Sequence, residues 1–126
     1  MQVLQVIEGA YRATLEEQDD PAVWITQAMR GAGGDFTLLL RGNAVNYACS
    51  RQDAAGLQVG AWTQKQPPDL LADFSRLAGA GVTVYALQED LEARGVPADT
   101  LRTDIEVIRR RSLPEFMERF DQIWCW

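Results

Sequence analysis

Cys49 and Cys125 are the only two thiols in this 126-residue chain, and histidine is absent altogether. Without an imidazole, Ser-His-Asp and Cys-His nucleophile arrangements are excluded, as is every zinc site that uses a histidine. Two cysteines without CxxC spacing are also too few for a disulfide scaffold. The chemistry left open is that of a thiolate, of paired carboxylates or of clustered guanidiniums. Cys49, in "NYACSRQ", falls in or near a short helix. A thiolate beside a helix N-terminus or a guanidinium has a lowered pKa and becomes nucleophilic; the plainer role for such a residue is that of a small buried hydrophobe. Cys125 is penultimate, between Trp124 and Trp126. Alternation along a strand sends both indoles to one face and the thiol to the other, which describes a docked tail better than a mobile carrier arm.

The carboxylates Glu89 and Asp90 are adjacent, so on a helix they diverge by about 100° and do not converge on one substrate. The positive end of a helix accounts for acids in its first turn. Arg109-Arg110-Arg111 and Arg41 stand out in a chain whose only lysine is Lys65. At strand ends such guanidiniums could hold an anion or an acidic partner surface, against the simpler reading of a solvated face.

The formal charge of −6 excludes a broad nucleic-acid footprint. With 47% hydrophobic and 24% charged residues the chain fits one domain, residues 1–126, around a single core. "MQVLQVIEGAY" has no basic segment before its apolar run, and that run is too short to span a bilayer. A cytoplasmic protein with reduced thiols and no membrane contact is the expectation. "EGAYRA" lacks the GxGxxG phosphate turn, so no nucleotide cofactor is expected, and no metal.

The elements that must position these residues alternate between strand and helix. Val3 to Ile7 reads as a first strand, and residues 10–19 as loop or an extra turn of helix. Asp20 and Pro21 start a helix that Gly31, Gly33 and Gly34 end, with Ile25, Ala28, Met29 and Ala32 as its sheet-facing side and Trp24 as core. "DFTLLL", Asp35 to Leu40, is a second strand covered on both faces, followed by a short helix from Ala44. Asp53 to Pro68 is irregular, with a brief strand between Leu57 and Trp62; Trp62 reads most simply as core, and of the core aromatics it is the one best suited to a subunit contact. Asp69 caps a helix that contains Phe74 and ends at Gly79 to Gly81. Val82 to Leu87, Asp104 to Ile108 and "QIWCW" are further strands. "EDLEARG" is a short helix, and Ser112 with Glu115 has capping-box spacing. No hairpin turn separates the strands. This predicts an α/β fold: a single five-stranded parallel sheet flanked by helices in three layers, flavodoxin-like.

"VYALQEDLEARGV", followed by "DIEVI", "LPEFMERF" and a terminal tryptophan, closely resembles the TusB/DsrH branch of the DsrE/DsrF/DsrH superfamily. "DFTLLLRGNAV" is similar to the second strand and turn of DsrE-like proteins more generally. The resemblance implies a DsrE-like fold, assembly into trimers or hexamers or with sister subunits, and a part in sulfur relay, in which persulfide sulfur passes between cysteines. In the DsrE branch the working cysteine sits at the helix start just before the "RG" element, sometimes as a CxxC pair. Counting back from Arg94-Gly95, Leu87 and Asp90 hold those places, and neither carries a sulfane sulfur. The TusB branch shares that departure.

Three functions follow from these readings. The first is a non-catalytic relay subunit that acts through assembly and partner docking. The second is a persulfide carrier using Cys49, with a sulfur-carrier protein as partner, since persulfide transfer needs an accessible thiolate. The third is a small-molecule or anion-binding module on the same fold. Fold resemblance alone does not choose among them.

Overall fold

The computed structural model describes residues 1–12, 19–52 and 56–126. Five short apolar segments become strands because a strand buried on both faces needs near-continuous hydrophobicity. They are β1 (Gln2–Ile7), β2 (Asp35–Leu40), β5 (Thr83–Leu87), β6 (Ile105–Ile108) and β7 (Gln122–Cys125), in the order β6-β5-β2-β1-β7. Every neighbouring pair is parallel. The alternating sequence is thus an α/β domain with a five-stranded parallel sheet, as predicted.

Helices cover both faces. On one side α1 (Pro21–Gly31) packs beside α2 (Leu70–Gly79), and their apolar residues meet Ile7, Leu38, Leu40 and Val84 from the sheet. On the other, α4 (Leu113–Met117) brings Leu113 and Phe116 onto Leu4, Val6, Leu39 and Leu87. Asp20 caps α1 through its Oδ1, which accepts the Ala22 and Val23 N–H groups at 2.9 and 3.2 Å, and Asp69 caps α2 by accepting from Ala72 N at 3.0 Å.

Four expectations are corrected. The buried face of α1 is Ala22, Val23 and Thr26, whereas Met29 is exposed and Trp24 lies outside the core at 56% exposure. The small residues face the sheet, and the bulky ones turn outward. Second, a hairpin does occur: β3 (Gln58–Val59) pairs antiparallel with β4 (Trp62–Thr63). Gly60, with φ +59, supplies the positive φ that a II′-type turn needs at its first central position. Third, Ser112 precedes α4 but makes no side-chain capping bond. Fourth, the short helix after β2 is a 3-10 helix over Gly42–Ala48, two residues earlier than predicted. The reading of residues 10–19 falls largely on 13–18, and part of the irregular stretch on 53–55, outside the described residues.

The tail behaves as alternation requires. Trp124 stacks edge-on against Phe36 at 5.7 Å, and Trp126 donates from Nε1 to the buried Gln5 Oε1 at 2.6 Å. Cys125 is exposed on the opposite side.

Candidate functional site

In an open parallel sheet reactive groups gather beyond the carboxyl ends of the strands. Three loops meet there: the turn after β2, the start of α3 (Gln88–Ala93) after β5, and the arginine run after β6. The sheet order places these strands side by side, so residues far apart in sequence converge.

Asp90 is the centre of that convergence. Its Oδ2 accepts the Gly42 backbone N–H at 2.7 Å, and its Oδ1 accepts from Arg110 Nη2 at 3.0 Å. The Asp90 side chain is 14% exposed and that of Arg110 62%. Glu89 reaches the same loop, accepting the Arg110 backbone N–H at 2.9 Å. That bond, more than the nearby arginine charges, holds the Glu89 carboxyl below the usual range. Behind them Arg94 Nε donates to Asn43 Oδ1 at 3.0 Å. The acids at the start of α3 therefore do more than face a helix dipole: they tie three strand ends together. Gly42 has φ +57, a left-handed conformation that favours glycine, and its N–H is what Asp90 takes.

Leu87 is fully buried and packs with Leu4, Val6, Leu39 and Phe116. A side chain so placed contributes to the core and reaches neither solvent nor a partner's thiol. The arginine run is not one cluster of solvated cations. Arg110 turns back to Asp90, Arg109 and Arg111 are exposed, and Arg41 pairs with Glu8 at 3.2 Å.

Cys49 lies elsewhere on this edge. It follows the last residue of the 3-10 helix and pairs in an isolated bridge with Leu101, half-buried. It is thus at the helix's carboxyl end, where no dipole stabilises a thiolate, and burial pushes the thiol up. Neither its place nor its burial favours the thiolate form of Cys49.

Sequence reasoning missed a network beside it. Tyr47, buried between Tyr11 and Phe74, donates its hydroxyl to Asp20 Oδ2 at 2.6 Å while accepting the Tyr11 N–H. Burial, then the bond to Asp20 and its charge, keep the Tyr47 phenol protonated well beyond the ordinary tyrosine range. Tyr11 sits at φ +58, costly for a non-glycine residue, and is held by that bond and by its own hydroxyl on Gln52 Oε1 at 2.9 Å. Burial, and then the nearby Cys49, push the Tyr11 phenol up. The legible signal was Asp20, whose second oxygen was unassigned once the first capped α1.

This architecture defines a class by fold: a single α/β domain built on a five-stranded parallel sheet flanked by helices. The ychN protein from E. coli has the same fold over 100% of both chains, with a TM-score of 0.72 at 18% identity. MTH1491 from Methanobacterium thermoautotrophicum, a protein of unknown function, matches 98% of this chain and 97% of its own at a TM-score of 0.67 and 15% identity. BT1422 from Bacteroides thetaiotaomicron, also of unknown function, covers 99% and 95% at 0.68 and 15%. At these identities the likeness is one of fold and reaches no particular branch. No protein-family model matches the chain, and no curated protein does.

Proposed function

We propose that this chain is a non-catalytic subunit of a sulfur-relay assembly, similar in role to the TusB/DsrH branch, working through oligomer contacts and partner docking. One observation carries the reading. At the two positions where the resemblance puts sulfur-bearing cysteines stand a fully buried Leu87 and an Asp90 whose two oxygens are committed to Gly42 and Arg110. Stabilising the junction and reacting at it are incompatible uses of the same positions. The burial of Cys49, which pushes its thiol up, favours this reading over the carrier alternative.

What supports assembly is exposed apolar surface on a small hairpin. The β3-β4 hairpin and its approach carry Leu57, Val59 and Trp62 at 47%, 66% and 45% exposure. A two-stranded hairpin with solvated apolar side chains is poorly stable by itself and gains from being covered. Light scattering on the purified chain, alone and after co-expression with DsrE-like sister subunits, tests the proposal. A trimer, a hexamer or a stable hetero-complex is expected, and a monomer under both conditions would overturn it.

A further inference from the structure

A second feature lies apart from the junction. A cavity of about 650 Å³ opens between the N-terminal ends of α1 and α2, a volume in the range of small-molecule sites. Its buried wall holds Asp73, which is 2% exposed. One oxygen, Oδ1, takes the guanidinium of Arg76 a turn along α2, whereas Oδ2 is buried with no hydrogen-bond partner among the described residues. An orphaned buried carboxylate oxygen is destabilising and rare. Burial and the charge of Asp19, which also lines the cavity, push the Asp73 carboxyl up against the opposing pull of Arg76 and of the Gln27 amide, whose Nε2 donates to the Asp73 backbone carbonyl at 3.1 Å. Asp69 adds a third acid to the lining, its Oδ1 already used to cap α2.

Apart from Gln66 and Arg76, the remaining lining is apolar and stiff. Trp24, 56% exposed, faces this space together with Pro21, Pro67 and Pro68. Proline fixes its own φ, so such a wall needs little further ordering on binding. The acids do not converge as metal ligands: among the described residues no three His, Cys, Asp or Glu side chains are placed to hold an ion. A compact cation on an apolar chain satisfies both halves of the lining.

We propose that this cavity binds a primary ammonium group carried on an aliphatic chain, the ammonium at the free oxygen of Asp73 and the chain against Trp24 and the prolines. An ammonium is a compact three-donor cation that fits beside the guanidinium already on Oδ1. It is attracted by an indole face as well as by the carboxylate. Arg76 neutralises only part of the site, leaving net negative charge among Asp19, Asp69 and Asp73. The proposal stands independently of the sulfur-relay reading.

Titration calorimetry with butylamine, cadaverine and 1-butanol, at fixed ionic strength, tests it. Both amines are expected to bind saturably at one site per chain, and butanol not to bind. Asp73→Asn should weaken butylamine by about tenfold or more, the loss of one charge-assisted bond. Arg76→Ala, which removes the internal competitor, should tighten it, and Trp24→Leu should weaken it. Nα-acetyl-lysine N-methylamide separates the sources of such a group: binding at least as tight as butylamine's assigns a lysine side chain, and weaker binding assigns a free amine. Absence of saturable amine binding, equal binding of butanol, or affinity unchanged in both Asp73→Asn and Arg76→Ala would overturn the proposal.

Discussion

Asp90 and Gly42, 48 residues apart, are joined by a 2.7 Å bond from the glycine backbone N–H to the carboxylate. It closes the gap between the loops after β2 and β5, and Arg110 on the other oxygen extends the tie to β6. Removing the acceptor leaves a backbone donor without its charged partner. Asp90→Ala is therefore expected to cost about 1.5–3 kcal/mol in urea unfolding. Arg110→Ala, whose side chain is 62% exposed, should cost no more than about 1 kcal/mol. Equal costs would mean that the ion pair, and not the bond to Gly42, holds the junction.

Leu87 holds the other position that the resemblance singles out, and it is core. Leu87→Ala should destabilise by about 2–5 kcal/mol, the cost of a cavity among Leu4, Val6, Leu39 and Phe116. Denaturant midpoints measure this directly, and a loss below about 0.5 kcal/mol, the range of surface substitutions, would contradict the burial.

Cys49 should behave as an unactivated thiol. Its raised pKa leaves less thiolate at neutral pH than free cysteine has. Iodoacetamide should modify it more slowly than free cysteine at pH 7, with the rate still climbing above the ordinary thiol pKa. Faster modification than free cysteine would reverse the assignment.

Asp73 sets a pH dependence of unusual sign. Burial and Asp19 raise its folded pKa above the unfolded carboxylate value of about 3.9. Its protonated form therefore favours the fold. That stabilisation is complete below the unfolded pKa and lost as pH rises through the folded one. Asp73→Asn should accordingly be more stable than the parent at pH 7, with the advantage fading as pH falls and gone below about 3.9. Melting temperatures across pH check it, and a less stable variant at pH 7 would contradict it. A residue that costs stability yet shapes a cavity is the pattern expected of a binding group.

Trp62 tests the hairpin as an assembly element. Trp62→Ser removes apolar surface that is already 45% exposed in one chain, so its effect on the single chain's stability should be small, within about 0.5 kcal/mol. The oligomer expected in light scattering should weaken or dissociate. An unchanged assembly would place the contact elsewhere.

Local signals carried much of this fold into the sequence. Asp20-Pro21 announced α1 because capping and a fixed φ act within three residues, and the apolar runs announced buried strands because a parallel sheet covers both faces. Trp24 and Met29 misled because volume favours the core on average, whereas the face of α1 that is buried is made of Ala22, Val23 and Thr26. The hairpin was missed because two-residue strands show no alternation and Gly60-Ala61 is a weaker turn signal than Asn-Gly. Of the junction, Leu87 and Asp90 were legible as positions, but the Asp90 bond to Gly42 depends on β2 and β5 lying side by side. Nothing within either segment encodes that adjacency. The cavity at Asp73 was invisible for the same reason, since it exists only where α1 and α2 pack.

The central proposal is that the junction stabilises the fold and that no cysteine of the chain relays sulfane sulfur. Intact-protein mass spectrometry after incubation with a persulfide donor, followed by addition of an acceptor thiol protein, addresses it most directly. The account predicts no stoichiometric gain of a sulfur atom that the acceptor then discharges. One sulfur per chain on Cys49 or Cys125, abolished by the matching Cys→Ser substitution and passed to the acceptor, would contradict it.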